Sequence, residues 1–234
     1  MSPHLDLKKV FTGLGRTLYR GVSIQKFPFD YIMYQMIIHD VRPDLIIEIG
    51  TMHGGSALYF ADLLEIMNIE GGEVHTIDLI SPEKRKERET LLNEYDGDPN
   101  ENPNYPEVIA AHPRIKTFDG GYKNYDLTNC EGFKKILVID DGSHVREEVL
   151  EVMNKFKKLI NVGSYLIIED GNALDVSIQP NLVNLYHGGP LMAIHKFLSE
   201  NDEFRIDFRW CDMFGINSTF NTYGYLKKVK NYGE

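Results

Sequence analysis

A chain of 234 residues with a formal charge of -10 suits one α/β domain with a substantial core, and its hydrophobic, aromatic and charged fractions are those of a soluble globular protein. The acidic balance argues against a general nucleic-acid surface, because the Lys84–Arg88 cluster is interleaved with Glu83, Glu87 and Glu89 and reads as a solvated helix face. No apolar run is long enough for a signal peptide or a membrane span, and Cys130 and Cys211 lack metal-ligand spacing, so free buried thiols in a reducing, cytoplasmic setting are expected, with a disulfide as the alternative.

Residues 1–40 read as an N-terminal helical segment that either closes over a ligand or packs on the sheet edge, and residues 41–234 as the main domain. Tyr19–Val22 and Lys26–Asp30 read as loop. Pro28 then opens a helix capped by Asp30 and running to Asp40, with Ile32, Met36 and Ile37 turned inward. Leu45–Ile49, interrupted only by Glu48, is a buried strand. A glycine turn follows (Gly50, Gly54, Gly55), and then Ala57, Leu58, Phe60, Ala61, Leu63 and Leu64 recur at helical spacing. This reads as the nucleotide-binding turn of a doubly wound sheet, the alternative being an ordinary strand–turn–helix with incidental glycines. Its glycine spacing fits neither the dinucleotide fingerprint nor the phosphate loop, and Glu48 would repel a pyrophosphate. The pattern from Glu48 through Gly50, Thr51, Gly54 and Gly55 to Ser56 resembles the first motif of S-adenosylmethionine-dependent methyltransferases, whose ligand carries a sulfonium cation and no phosphate. His53 in this turn reads as solvent-facing or as a ligand contact.

After Gly71-Gly72 the second strand, Glu73–Asp78, ends in a carboxylate able to accept both ribose hydroxyls or to cap a helix. Ser81-Pro82-Glu83 begins a short charged helix. The stretch from Asp96 to Pro106 is loop, expected as a lid or as disorder, and Ile115–Phe118 is a third strand ending in a turn at Asp119–Tyr122.

Two later segments share one design. Ile136–Ile139 ends in Asp140, Asp141, a glycine and His144, and Gly163–Ile168 ends in Glu169, Asp170, a glycine and Asn172. Neighbouring strand tips of this kind gather the four carboxylates and Asn172 in one crevice, where they repel one another unless protonated or neutralised by a cation. An oxygen-rich donor set suits Mg²⁺ or another hard divalent ion; the alternative is that some of these acids cap helices. His144 is a candidate general base or a capping and orienting residue. A helix with Val149, Val152, Met153 and Phe156 on one face follows the first segment. The tail from Asn181 holds a helix over Leu191–Ser199 and two strands, Phe204–Phe208 and Tyr223–Val229, that close the sheet.

Together, Arg20–Val22, Pro28–Asp30, Arg42–Thr51, Gly54–Ala57, Ile139–His144, Gly163–Asp170, Gly189-Pro190, Phe197-Leu198 and Phe204–Asp207 resemble the cephalosporin hydroxylase and rhamnosyl O-methyltransferase family of class I S-adenosylmethionine-dependent methyltransferases. The resemblance implies a Rossmann-like, doubly wound, mostly parallel seven-stranded sheet with an antiparallel last strand. It implies S-adenosyl-L-methionine as cofactor, with contacts at Glu48, Gly50, Thr51, Gly54, Gly55, Ser56, Asp78 and Asp140. It implies Mg²⁺ on Asp141, Glu169 and Asp170, with Asp141 and His144 serving catalysis. The activity implied is O-methylation of a sugar, glycan or secondary metabolite by a chain with no nucleic-acid or membrane partner, compatible with a homo-oligomer. Arg20 replaces the aromatic residue usual before the early glycine, and no triad of two His and one carboxylate suggests iron hydroxylase chemistry. A nicotinamide-dependent oxidoreductase and an inactive accessory subunit are the rival readings.

Overall fold

Apolar runs of four or five residues alternate with helical stretches along most of the chain, and a parallel sheet with helical crossovers is the arrangement that buries both. The computed structural model describes residues 10, 13–92, 102–172 and 187–233. A short hairpin comes first, β1 (Leu18–Tyr19) and β2 (Val22–Ser23). Then come α1 (Pro28–Val41), β3 (Leu45–Ile49), α2 (Gly55–Ile66), β4 (Glu73–Ile77), α3 (Pro82–Leu92) and α4 (Tyr105–Ala110). They are followed by β5 (Ile115–Phe118), β6 (Ile136–Asp140), α5 (Arg146–Phe156), β7 (Tyr165–Ile168), α6 (Gly189–Glu200), β8 (Phe204–Ile206) and β9 (Tyr225–Lys228).

The sheet runs β5-β4-β3-β6-β7-β9-β8, with β9 antiparallel to both neighbours. This is a doubly wound, mostly parallel seven-stranded sheet with an antiparallel last strand, as the family resemblance implies. The chain leaves β3 toward β4 on one side and returns to β6 on the other, so a crevice opens beyond the carboxyl ends of β3 and β6, where such sheets bind ligands.

Alternation along each strand sends side chains to two cores. Ile46, Leu137, Ile139, Tyr165 and Ile167 join α1 and α2 on one face, while Leu45, Ile47, Val138, Leu166 and Ile168 join α5 and α6 on the other. Cys130 and Cys211 are buried free thiols in these opposite cores, which removes the disulfide alternative.

Three local expectations change. Tyr19–Val22 is a hairpin and not an irregular loop, because Arg20 and Gly21 both take positive φ (51° and 81°), the conformation of a two-residue hairpin turn. Helix α1 starts at Pro28 with Phe27 as its N-cap residue, so Asp30 lies inside the first turn and caps nothing at its own helix. It is buried, and the inward stripe follows it as Met33, Tyr34, Ile37, Ile38 and Val41, leaving Ile32 exposed. The loop expected over 96–106 lies outside the described residues up to 101, and at its far end Tyr105 and Pro106 open α4, where a proline lacking its N–H costs a helix little.

Candidate active site

The β3–α2 turn is built by close approach. Gly50 has φ 96°, its N–H donates to the Ile77 carbonyl at 2.8 Å, and a Cβ there would strike the Asp141 carbonyl. Only glycine lets the tips of β3 and β6 come together. Gly54 and Gly55 do not line the cavity beside the turn. Substituents on them would strike Ile109 of α4 and the Ser23 backbone of β2, so the space they save is used by the protein itself and not by a ligand. His53 is fully buried, 3.0 Å from Glu89 and packed on Tyr105, so it faces neither solvent nor the cavity.

Asp78 Oδ2 accepts the backbone N–H groups of Thr51 (3.0 Å) and Met52 (2.8 Å), and its Oδ1 accepts that of Leu79. One lone pair on Oδ1 stays available, so this carboxylate has room for one further donor and not for the two expected of a ribose. Glu48 lies below the cavity wall, fully buried, with Oε2 accepting from Thr76, whose hydroxyl also meets that of Thr51. Burial raises its carboxyl to about 7 against the pull of Lys26.

The cavity has a volume of about 580 Å³. Gly50, Thr51, Ser56 and Asp78 line it at the glycine turn, and Asp140, Asp141, His144 and Asp170 line it at the β6 and β7 tips. Asp140 is buried, its Oδ2 has no partner among the described residues, and burial raises it to about 7. An orphaned acceptor beside an open cavity of this size fits a polar organic ligand.

The strand tips do not bring the acids together as one cluster. Glu169 continues the alternation of Tyr165 and Ile167 and points to the α1 face, while Asp170 breaks from extended backbone with φ 54°. His144 has φ 58°, and its Nε2 lies 3.5 Å from Asp170 Oδ2 and 4.0 Å from Asp141 Oδ1. One ligand atom each from Asp141, His144 and Asp170 falls within a 4.8 Å group, a donor set that fits a divalent cation. Two non-glycine residues in the left-handed region at one site are strain of the kind found where geometry serves function. Burial raises the Asp170 carboxyl although 36% of its side chain stays accessible; the nearby His144 opposes this. Asn172 does not line the cavity; its N–H donates to the Phe220 carbonyl.

Sequence reasoning missed Lys26 and Tyr34. Lys26 Nζ lies 2.7 Å from Asp141 Oδ2 and 2.6 Å from Glu169 Oε1, and the same Glu169 oxygen accepts from the Tyr34 hydroxyl at 2.6 Å. Burial opposes charge on Lys26, but Asp141, Glu169 and Glu48 outweigh it and hold its pKa well above the usual lysine value. One ammonium cannot neutralise all of these acids. Burial first, and Asp141 after it, push the Glu169 carboxyl up against the opposing pull of Lys26 and Tyr34. No motif announces Lys26, since it contacts residues 115 and 143 positions away.

The described helices include none long and apolar enough to cross a membrane. In comparisons with known proteins, the rhamnosyl O-methyltransferase of Mycobacterium tuberculosis (strain ATCC 25618 / H37Rv) is 29% identical over 198 residues, covering 83% of this chain and 70% of that protein. A solved structure described as CmcI-N160 with SAH superposes with TM-score 0.58 at 23% identity, over 92% of this chain and 83% of that one. Another, described as CmcI-D160 with Mg-SAM, gives TM-score 0.56 at 24% identity, over 92% and 78%. These likenesses show a shared fold. The family model described as Rhamnosyl O-methyltransferase/CmcI matches residues 14–95 and 125–229, and with most of its length so matched the chain belongs to that family.

Proposed function

We propose that the protein transfers a methyl group from S-adenosylmethionine to a hydroxyl of a sugar, glycan or secondary metabolite, assisted by Mg²⁺ or a similar hard cation. The observation that carries this reading is a single cavity walled at one end by the glycine turn and at the other by the Asp141, His144 and Asp170 group. Family membership supports methyl transfer, and the solved relative described with Mg-SAM supports the cofactor pair. The name of the mycobacterial relative supports a rhamnosyl acceptor, whose ring offers vicinal hydroxyls. A nicotinamide cofactor fits less well, because Glu48 beneath the turn disfavours a pyrophosphate.

Gly50, Thr51 and Ser56 seat the donor, Asp78 accepts one hydroxyl of its ribose, and Asp140 supplies an unused acceptor on the same wall. Asp141 and Asp170 would hold the cation, with Glu169 behind them and joined to Asp141 through Lys26. A bound divalent ion lowers the pKa of an adjacent hydroxyl and steadies its developing charge. His144 accepts the acceptor's hydroxyl proton at an imidazole nitrogen, oriented by Asp170. The cavity holds the two reactants in one orientation, which removes much of the entropic barrier. The buried free thiols fit a reducing compartment, hence the cytoplasm.

Labelled S-adenosylmethionine incubated with rhamnosyl acceptors tests this reading. Transfer is expected to stop in chelator and return with Mg²⁺. Transfer unaffected by chelator removes the cation from the account, and calorimetry showing that NAD binds and S-adenosylhomocysteine does not removes the methyltransferase.

A further inference from the structure

The cation reading leaves a positive charge already in place. Lys26 is 2% exposed, and its ammonium bridges Asp141 and Glu169 at 2.7 and 2.6 Å. Its position is set from both sides. Gln25 before it takes φ 46°, and Phe27 after it stacks on Phe220 at 4.5 Å between ring centroids while Pro28 begins α1. The Lys26 ammonium lies over the Tyr34 ring, with Nζ 5.9 Å from its centroid, and Asn221 donates to the Tyr34 hydroxyl at 3.1 Å. A lysine held this firmly is preorganised as part of the site, since little rotamer freedom is left to lose.

We propose that Lys26 is the built-in counter-cation of the metal site, a positioning residue that holds Asp141 and Glu169 together before the divalent ion arrives and weakens binding of that ion by competing for Asp141, the carboxylate that the Lys26 bridge and the ion group share. Rapid exchange of ion and product needs a site that is assembled in advance without being too tight. An internal ammonium supplies both properties, because it offsets carboxylate repulsion in the empty site and repels a second cation in the filled one. The inference rests on the cation reading above and adds to it a residue that sets the affinity.

The test is calorimetric titration of the full chain with Mn²⁺ at pH 8, together with thermal melting with and without the ion. Lys26→Met is expected to bind Mn²⁺ at least about tenfold more tightly than wild type, to melt lower when empty, and to gain more from the ion. Lys26→Arg, which keeps the charge, is expected to bind as wild type does. If Lys26→Met does not fold, Lys26→Met/Glu169→Gln restores charge balance and is expected to bind more tightly than Glu169→Gln alone. A merely structural lysine would lower the melting temperature without tightening the ion, so unchanged or weaker binding in the Met variants overturns the role of Lys26. Absence of saturable binding in wild type would instead overturn the cation reading itself, and this role with it.

Discussion

The tips of β3 and β4 and the tips of β6 and β7 both carry carboxylates, but these are satisfied differently. At the first pair, Asp78 is held by backbone N–H groups of its own turn and of the neighbouring one, and Glu48 accepts from a hydroxyl on the adjacent strand at Oε2 while its buried Oε1 has no partner among the described residues. At the second pair, Glu169 and Asp141 depend on a lysine and a tyrosine from the far end of the chain, with one ammonium shared between the two carboxylates. An acid held by the backbone of its own turn, as Asp78 is, makes a rigid seat. Acids left short of positive charge make a site that a cation completes.

Breaking the second region has the largest expected effect. Asp141→Ala removes a residue common to the ion group and the Lys26 bridge, and turnover is expected to fall by about 10³-fold or more, as chelator makes it fall, while calorimetry still finds S-adenosylhomocysteine bound. His144→Gln keeps a polar side chain without a basic nitrogen. It is expected to lower kcat by about 10²- to 10⁴-fold while S-adenosylhomocysteine still binds, read by steady-state kinetics beside calorimetry. Breaking the first region costs less. Asp78→Asn can accept at one oxygen only, so one or more turn N–H groups lose their partner, and the Kd for S-adenosylhomocysteine is expected to rise by about 10- to 100-fold at unchanged Mn²⁺ affinity.

The smallest effect concerns the acid behind the second region. Asp30 accepts from Thr219, Phe220 and Tyr225, and burial raises it from 3.8 to about 7. The folded state therefore holds this proton more tightly than the unfolded chain does. That contribution is full below about pH 4 and is lost as pH rises through about 7. Melting of wild type against Asp30→Asn is expected to show wild type losing ground between about pH 4 and about pH 7. A constant gap would show that Asp30 stays ionised in the fold.

The same contrast explains what could be read from the sequence. The turn after β3, Asp78 at the end of its strand and the paired carboxylates after β6 and β7 are all local patterns, and they name most of the polar residues that line the cavity. Side-chain contacts across the sheet faces do not. Alternation divides Glu169 from Asp170, and only the folded position of α1 shows that Glu169 meets Lys26 and Tyr34. Gly54 and Gly55 carry the opposite lesson, since glycines resembling a ligand motif here admit the Ser23 backbone and the Ile109 side chain. Asp30 reads as a helix cap in sequence because its partners lie near residue 220.

The side-by-side placement of cation and methyl donor is tested most directly by nuclear magnetic resonance of S-adenosylmethionine carrying a ¹³C methyl group, bound to the protein and titrated with paramagnetic Mn²⁺. Strong broadening of the methyl signal in wild type, absent in Asp141→Ala with the donor still bound, is the predicted result. An unbroadened methyl signal with both Mn²⁺ and donor bound to wild type would contradict the account.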